Sequence, residues 1–253
     1  MLAIDRRGEI LERIQMENSV KVPDLSKEFG VTEETIRRDL EKLELEGHIT
    51  RTYGGAVLNK GTSEDLSINI REGRNQEGKT RIARKVAELI ENGDTLMMDS
   101  STSAMFVARQ LKEKTKITII TNSLRVPMEL AGQANAEVIV TGGTFKASSY
   151  SMIGNRTADM LDGYYVNKAV VGCKGFDPLT GTYEPHEMEA EIKKKMRANA
   201  EILILAADYT KMNCKSFIRT ISISDIDIIV TDRKLPDETE ELLKSQNISL
   251  VYA

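Results

Sequence analysis

The chain has 253 residues, 40% of them hydrophobic and 29% charged, and it carries a formal net charge of −4. This composition is typical of a soluble globular protein and excludes extended disorder, and the length suits a small module joined to a larger domain with its own core. Because no apolar run approaches the roughly 20 residues that span a bilayer, and residues 1–18 lack the pattern of a signal peptide, we predict a cytoplasmic protein with no membrane partner.

The first part of the chain predicts two amphipathic helices. Apolar residues recur at helical spacing between Asp5 and Asn18, which leaves a polar outer face on the first helix. Pro23 suits the first turn of a second helix that runs to Phe29. Gly30 follows, and glycine tolerates the left-handed conformation that ends a helix, so we expect a short turn there.

A third helix follows, with Thr32 as its N-terminal cap and two glutamates that suit the positive end of the helix dipole. Ile36, Leu40 and Leu43 recur on one face and therefore point to the core. A helix-turn-helix motif places the N-terminal half of this helix in the major groove of DNA. The side chains turned to solvent in that half are Thr35, Arg37 and Arg38.

Residues 49–57 alternate in polarity and turn at Gly54 and Gly55, a pattern that predicts a β-hairpin wing. Residues 1–57 carry more acidic than basic side chains, so DNA binding depends on a local cluster that includes Arg51 rather than on bulk charge. Three-helix units with surface arginines also occur as protein-interaction modules. The residues alone leave that alternative open.

One run of residues resembles the signature of the DeoR family of transcriptional regulators. Residues 31–40 read Val-Thr-Glu-Glu-Thr-Ile-Arg-Arg-Asp-Leu, and Leu43, Gly47, Arg51 and then Gly-Gly-Ala at 54–56 follow in order. The resemblance implies a winged helix-turn-helix in residues 1–57 that binds operator DNA. The family more often has serine at position 32, but serine and threonine both cap helices. The predicted DNA-binding residues are Thr32, Glu34, Thr35, Arg37, Arg38 and Arg51.

Residues 58–78 are polar and lack apolar periodicity, which predicts an interdomain linker. Within and just beyond them, residues 73–80 satisfy the GxxxxGKS/T pattern of a phosphate-binding P-loop. A true P-loop follows a buried strand, whereas Asp65–Glu72 is short and flanked by charge. We therefore keep a nucleotide-hydrolysing P-loop enzyme only as an unfavoured alternative.

From Lys79 to the C-terminus, helices and strands alternate, which predicts an α/β domain over residues 79–253 with a mostly parallel sheet and helices on both faces. Ligands of such sheets bind beyond the carboxyl ends of the strands. The predicted strands are Thr95–Met98, Ile117–Thr121, Glu137–Thr141, Lys168–Gly172, Ile202–Ala206, Ile226–Thr231 and Ser249–Tyr252.

Polar residues and glycines follow these strands and suit an oxyanion. Hydroxyls and free backbone N–H groups at the start of the helix after the first strand can hold a phosphate, and Lys211 adds a point charge. Serine and threonine also cap helices, and glycine often ends strands, so each loop taken singly has an architectural explanation too. The predicted effector-binding residues are Asp99, Ser100, Ser101, Thr102, Ser103, Thr121, Asn122, Ser123, Gly142, Gly143, Lys174, Gly175, Asp208 and Lys211.

The DeoR resemblance covers nearly the whole chain, because these loops come in the family's order, although most relatives have glycine at or near position 101. It implies a sugar-phosphate sensor domain similar in fold to ribose-5-phosphate isomerase and glucosamine-6-phosphate deaminase, and it adds Glu189 to the effector-binding residues. It also implies a homodimer or homotetramer that represses a sugar or polyol operon. A phosphorylated sugar would release this repressor from its operator.

An enzymatic alternative comes from the acid and base groups of the second domain. Asp99, Asp208, His186 and Glu187 are residue types that an isomerase-like enzyme would use for proton transfer. Their spacing does not require catalysis, and a His beside a Glu in a loop is more often a hydrogen-bonded or solvated pair. We therefore expect a sensor rather than an enzyme.

The chain contains two cysteines, Cys173 and Cys214. They lie far apart in the sequence and neither belongs to a CxxC pattern, so a disulfide framework or a structural zinc site is not supported. We predict two buried free thiols, no metal ion and no cofactor.

Overall fold

The computed structural model describes residues 3–45, 49–58, 68–132 and 136–253. The chain divides into two compact units, Met1–Gly61 and Thr62–Ala253. The division falls within the segment 58–78 that the sequence predicts to be a linker. Among the described residues, no helix is both long and apolar enough to cross a membrane.

The first unit is a winged helix-turn-helix. Its elements are α1 (Ala3–Glu17), β1 (Ser19–Lys21), α2 (Val22–Phe29), α3 (Glu33–Leu45), β2 (Ile49–Thr52) and β3 (Gly55–Leu58). The sheet has the antiparallel order β1-β3-β2, and β2 and β3 form the predicted hairpin. The sequence pattern does not predict β1, because three residues with one buried side chain give no periodic signal.

The turn between α2 and α3 has the predicted chemistry. Gly30 ends α2 with φ at 62°, in the left-handed region that glycine adopts without steric cost. The backbone N–H of Thr35 donates to Thr32 Oγ1 at 3.2 Å, so Thr32 caps α3. The left-handed glycine and the capping hydrogen bond confirm the predicted helix, turn and helix.

The core of this unit fixes how α3 lies on α1. Ile10, Ile36 and Leu40 are each 1% exposed or less. Beside them, Arg6 Nε of α1 donates to Asp39 Oδ2 of α3 at 2.6 Å, and both side chains are buried. Removing one partner of a buried ion pair leaves an uncompensated charge, so this pair holds the helices in one arrangement.

The first residue of β3 is a glycine because β1 lies directly against it. A Cβ atom on Gly55 would lie 1.9 Å from the carbonyl oxygen of Val20, far inside van der Waals contact. Any larger residue would push β1 and β3 apart. The wing therefore depends on glycine at this position.

The second unit is an α/β domain built on a seven-stranded sheet. Its helices are α4 (Ile68–Gly73), α5 (Gln76–Glu88), α6 (Thr102–Gln110), α7 (Arg125–Glu129), α8 (Asn155–Leu161), α9 (Glu187–Ala198) and α10 (Asp237–Ser245). Its strands are β4 (Thr95–Met98), β5 (Ile117–Thr121), β6 (Ala136–Val140), β7 (Thr144–Lys146), β8 (Ser151–Ile153), β9 (Val166–Val171), β10 (Gly175–Asp177), β11 (Gly181–Glu184), β12 (Ala200–Ala206), β13 (Ile218–Ser222), β14 (Ile228–Thr231) and β15 (Ser249–Tyr252).

The large sheet has the order β15-β14-β12-β9-β4-β5-β6, and its neighbouring strands run parallel. These are the seven predicted strands. Alternate residues pack on opposite faces: Leu96 and Met98 lie in the core beneath α5 and α6, whereas Met97 lies in the core beneath α8, α9 and α10. Helices thus cover both faces, as a parallel sheet requires, and the predicted fold class is confirmed.

Two smaller sheets flank the large one and are not predicted by the sequence pattern. Strands β10, β11 and β13 form an antiparallel sheet, and β7 pairs with β8. Each of these strands has three to five residues. Segments this short do not show a clear alternation of apolar and polar residues.

Residues 68–78 belong to the second unit, which differs from the predicted linker over 58–78. Ile68 at the start of α4 is completely buried, and its backbone N–H donates to the carbonyl oxygen of Ser148 at 2.7 Å. The six-residue helix α4 is too short to give a periodic signal in the sequence. Residues 59–67 of the predicted linker lie outside the described residues.

The P-loop-like motif spans the end of α4, the turn at residues 74–75 and the start of α5, so a helix precedes it where a P-loop would have a strand. Lys79 is buried, and its Nζ donates to the carbonyl oxygens of Arg71 and Arg74, the second at 2.6 Å. A Cβ atom on Gly78 would lie 2.2 Å from Asp232 Oδ2. The lysine thus satisfies carbonyl oxygens at the end of α4, and the glycine allows α5 to pack closely against Asp232. These structural roles explain the sequence pattern without a bound nucleotide.

Both cysteines are free, but their surroundings differ. Cys214 is exposed in the loop before β13, so the prediction of a buried thiol is wrong for this residue. Cys173 follows β9 and is partly buried, and burial raises the pKa of its thiol.

Candidate functional site

The exposed face of α3 carries the predicted recognition arginines. Arg37 Nη2 lies 3.5 Å from Glu33 Oε2, and Arg38 Nε lies 3.3 Å from Glu34 Oε1. Each pair spans one helical turn in solvent, where ion pairs contribute roughly 0–1 kcal/mol. Both guanidinium groups can therefore exchange their glutamates for DNA at little cost.

Two of the predicted DNA-binding hydroxyls are already engaged with each other. Thr32 Oγ1 and Thr35 Oγ1 lie 2.9 Å apart, and Thr32 also caps α3. The structure therefore gives Thr32 a role at the start of the helix. A contact of either threonine with DNA stays a prediction.

Arg51 of the wing is held by a glutamate at the end of α3. Its backbone N–H donates to Glu44 Oε1 at 2.8 Å, and its Nε donates to Glu44 Oε2 at 2.6 Å. The backbone hydrogen bond is the main cause that lowers the pKa of Glu44. Arg51 thus lies beside Arg37 in a groove between α3 and the wing, and the exposed Tyr53 marks the wing tip.

A cleft opens at the carboxyl edge of the large sheet, where the order of the strands reverses between β4 and β9. The loops after β4, β9 and β12 form it together with α4 and the start of α9. Open parallel sheets bind ligands at this position. The lining residues are Arg71, Arg74, Lys79, Ser100, Ser101, Thr102, Ser103, Cys173, Lys174, Glu184, Pro185, Glu189, Lys193, Asp208, Thr210 and Lys211.

Asp99 shapes the loop after β4 from beneath. Its Oδ1 accepts hydrogen bonds from the backbone N–H of Ser101 at 3.0 Å and from Ser101 Oγ at 2.6 Å, and Oδ2 accepts from the N–H of Gly172 at 3.1 Å. Ser101 Oγ in turn accepts from the N–H of Ala104 at 3.1 Å and caps α6. The predicted residues Asp99 and Ser101 therefore build the helix start to which an anion would bind.

A buried lysine ties this loop to the other side of the cleft. Lys193 Nζ lies 3.0 Å from Asp99 Oδ2, pairs closely with Glu184, and donates to the carbonyl oxygen of Gly172 at 2.8 Å. Burial lowers the pKa of Lys193, but the two carboxylates outweigh it and raise the pKa overall. Burial raises the pKa of Glu184. Lys193 is therefore a permanent cation that organises the floor of the cleft.

The remaining cleft is dominated by positive charge. The lining carries six basic side chains, of Arg71, Arg74, Lys79, Lys174, Lys193 and Lys211, and three acidic ones, of Glu184, Glu189 and Asp208. Lys193 is paired as described, and Lys146 Nζ lies 3.3 Å from Glu189 Oε1. Burial, and then the nearby Lys211, Arg71 and Arg74, lower the pKa of Lys79 to about 8, although Asp208 acts in the opposite direction.

The other predicted effector-binding residues do not line the cleft and have structural roles. Thr121 Oγ1 donates to the carbonyl oxygen of Met98 at 2.6 Å and accepts from the N–H of Ser123 at 3.0 Å. Gly143 and Gly175 have no space for a side chain. A Cβ atom would lie 2.0 Å from Thr157 Oγ1 at the first position and 2.3 Å from the carbonyl oxygen of Cys214 at the second. The predicted residues outside the cleft lining are Asp99, which lies beneath it, together with Thr121, Asn122, Ser123, Gly142, Gly143 and Gly175.

The sequence reasoning missed several residues that line the cleft. Arg71, Arg74 and Lys79 precede the first strand of the large sheet, so the rule that function follows strand ends does not reach them. The P-loop-like motif was the available signal, since it contains two of these three residues. Glu184 and Lys193 come from β11 and α9, whose approach to the sheet edge depends on the tertiary fold.

The groups considered for an isomerase are not arranged as a free acid and base. Both oxygens of Asp99 accept the hydrogen bonds described above, and Asp208 Oδ1 accepts from the backbone N–H of Thr210 at 3.0 Å. His186 and Glu187 lie at the start of α9 and are outside the cleft lining. The geometry thus favours a binding site over proton transfer by these residues.

Comparison with known proteins gives matches to both units. A family model for the DeoR-like helix-turn-helix domain matches residues 6–62, and one for the DeoR C-terminal sensor domain matches residues 74–233. The uncharacterized HTH-type transcriptional regulator YulB of Bacillus subtilis is 36% identical over 250 residues, which cover 99% of this chain and 96% of that protein. The glycerol-3-phosphate regulon repressor of Escherichia coli is 30% identical over 250 residues, 99% of each chain.

Among solved structures, ribose 5-phosphate isomerase A from Methanocaldococcus jannaschii matches with a TM-score of 0.41 and 16% identity, over 55% of each chain.

Proposed function

We propose that this chain, which belongs to the DeoR family of transcriptional regulators, represses a sugar or polyol operon and leaves its operator when a phosphorylated sugar occupies the cleft. The observation that carries the proposal is the cleft itself: a hydroxyl-lined helix start faces six basic side chains at the position where parallel sheets bind ligands. The repressor name of the Escherichia coli relative supports the direction of control.

On the DNA side, α3 enters the major groove and the wing lies against the backbone. Arg37 and Arg38 read bases or phosphates from α3, and Arg51 binds phosphate from the wing, while Thr32, Glu34 and Thr35 lie at the helix start. One small unit makes few base contacts, so we propose a homodimer or homotetramer that binds repeated half-sites. A cytoplasmic location follows from this access to operator DNA.

On the effector side, the phosphate lies at the start of α6, where Ser100, Thr102 and Ser103 offer hydroxyls and backbone N–H groups. Lys174 and Lys211 add positive charge. Glu189 and Asp208 supply carboxylate oxygens that suit the hydroxyl groups of a sugar. The cleft thus has separate partners for the phosphate and for the rest of the ligand.

Regulation requires that the effector bind one state of the regulator more tightly than the other. A ligand with equal affinity for the DNA-bound and free states cannot release the operator. We therefore propose that the effector prefers the arrangement that does not fit the operator half-sites. We also propose that it is bound without turnover, since Asp99 and Asp208 are engaged in structural hydrogen bonds.

A thermal-shift screen of the purified chain tests this function. We expect at least one phosphorylated sugar or polyol phosphate to raise the melting temperature, because a ligand that binds only the folded state stabilises it, and we expect its unphosphorylated parent to have no effect. The same compound should release operator DNA and be recovered unchanged. A shift with ATP and magnesium alone would instead support the P-loop alternative, and steady product formation would support an isomerase.

The pH dependence of effector binding follows from Lys79. Its pKa lies at about 8 in the free protein, so the ammonium group loses its proton as the pH rises through that value. A phosphate dianion favours the charged form, so binding takes up a proton near pH 8 and affinity falls above it. Affinity also falls below about pH 6, where a phosphate monoester takes up its own second proton.

Calorimetry in two buffers of different ionisation enthalpy measures this proton uptake. The matched variant is Lys79→Arg, which keeps a positive charge that does not titrate in this range, so its proton uptake near pH 8 should disappear. Equal apparent binding enthalpies in the two buffers for the unmodified chain would contradict the role given to Lys79.

A further inference from the structure

Helix α4 and the turn after it carry charged side chains that face two different parts of the second unit. Arg71 and Arg74 line the cleft. Glu72 lies between them in sequence but pairs elsewhere, with Arg109 of α6 at 2.7 Å and with Arg125 of α7 at 2.8 Å. The same short segment therefore contacts both the cleft and the helices that lie behind it.

Arg74 has an unused hydrogen-bond donor inside the protein. Its Nε is fully buried and has no hydrogen-bond partner among the described residues. A buried guanidinium donor without an acceptor is unfavourable, and burial also lowers the pKa of Arg74. Since the side chain lines a cleft rich in other cations, the missing acceptor is one that a ligand oxygen would supply.

The position of α4 depends on contacts at both of its ends. A helix of six residues is not stable by itself, so it stays in place through its neighbours. Buried Ile68 holds the start of α4, and the Glu72 ion pairs hold its end, where Lys79 Nζ also donates to the carbonyl oxygens of Arg71 and Arg74. An anion that binds beside Lys79 and Arg74 competes directly for these contacts.

We propose that Arg74 binds the phosphate group of the effector and that α4 transmits occupancy of the cleft to the segment that leads to the DNA-binding unit. The inference rests on the proposed function and deepens it by naming the phosphate ligand and the element that responds. In the sequence, α4 is the first described element after residues 59–67, which connect the two units. Of the described elements of the sensor, α4 is thus the one nearest in sequence to the connection.

The test uses the full chain and two variants, each with a matched control on the exposed face of α5. Arg74→Ala is compared with Arg84→Ala, and Glu72→Gln with Glu88→Gln. The probes are inorganic phosphate and the phosphorylated sugar that gives the largest shift in the thermal screen. Binding is followed by thermal shift and calorimetry, and operator release by fluorescence anisotropy of labelled DNA.

For Arg74→Ala we expect at least about tenfold weaker binding of both probes, since a charge-assisted hydrogen bond is lost. The melting temperature of the ligand-free variant should not fall, because the substitution removes an unpaired buried donor; a merely structural arginine would behave in the opposite way. For Glu72→Gln we expect sugar-phosphate affinity within about threefold of the unmodified chain, but an effector concentration for operator release that changes by about tenfold or more.

Two results would overturn the inference. If Arg74→Ala binds inorganic phosphate and the sugar phosphate as tightly as Arg84→Ala does, Arg74 is not a phosphate ligand. If Glu72→Gln changes binding and release in parallel, α4 does not transmit occupancy. In both cases the unmodified chain still binds the sugar phosphate, whereas a failure of the proposed function shows as no response of the unmodified chain to any phosphorylated sugar.

Discussion

Arg37→Gln is expected to weaken operator binding by roughly 5- to 150-fold, the equivalent of about 1–3 kcal/mol, and Arg38→Gln should act in the same direction. Both arginines lie on the exposed face of α3, and the glutamates that pair with them in the free protein release them at little cost. The measurement is an anisotropy titration of labelled operator DNA at several fixed salt concentrations.

The salt series separates the two ways in which an arginine contributes. Loss of a phosphate contact reduces the slope of log affinity against log salt by about 1, whereas loss of a base contact also relaxes the preference at one operator position. Arg13→Gln is the matched control, because Arg13 pairs with Glu17 and Glu28 on the surface of the same unit but away from α3. Equal affinity of Arg37→Gln, Arg38→Gln and the control would refute the assignment of α3.

Lys193→Met is expected to destabilise the second unit by about 3–5 kcal/mol, the cost of breaking a buried ion pair by removing one partner. The substitution leaves the carboxylates of Asp99 and Glu184 buried without their cation, and it removes the contact with the carbonyl oxygen of Gly172. Urea unfolding of the full chain, followed as a midpoint and a slope, measures the loss.

The double variant Lys193→Met with Glu184→Gln provides the control for this prediction. It removes one of the two stranded charges, so part of the lost stability should return. The loss in Lys193→Met should also shrink as the pH falls, because the folded state then binds protons at carboxyl groups that no longer face a cation. A Lys193→Met protein as stable as the unmodified chain at neutral pH would show that the buried network is not essential to the fold.

The large sheet was predictable because its central strands are apolar and buried on both faces. Runs such as Ile117–Thr121 and Ile202–Ala206 remain recognisable without any tertiary information. The turn at Gly30 was predictable because glycine suits the left-handed conformation that ends a helix, and the wing because residues 49–57 alternate in polarity around two glycines. The short strands β7 and β10 were not, since three residues give no alternation and each strand is defined by its pairing with a neighbour in the folded chain.

The cleft could be predicted only on one side. The loop at Ser100–Ser103 and the pair Asp208 and Lys211 follow strands of a parallel sheet, so the general position of ligand sites locates them. Thr121 is the last residue of a strand, but its hydroxyl donates to the carbonyl oxygen of Met98 in the neighbouring strand. Arg74 precedes the first strand of the large sheet in the sequence, yet its side chain lines the cleft. The order of the strands does not indicate that this earlier segment lies beside the carboxyl edge of the sheet.

The two thiols differ enough to be told apart by simple reagents. Burial raises the pKa of Cys173, and the thiolate is the form that reacts with electrophiles, so we expect this thiol to react slowly at neutral pH. Cys214 is exposed, and its Sγ lies 3.5 Å from the carbonyl oxygen of Thr210, a residue of the cleft lining. We therefore expect a maleimide dye to label Cys214 in preference to Cys173, and we expect the emission of the attached dye to change when a ligand fills the cleft.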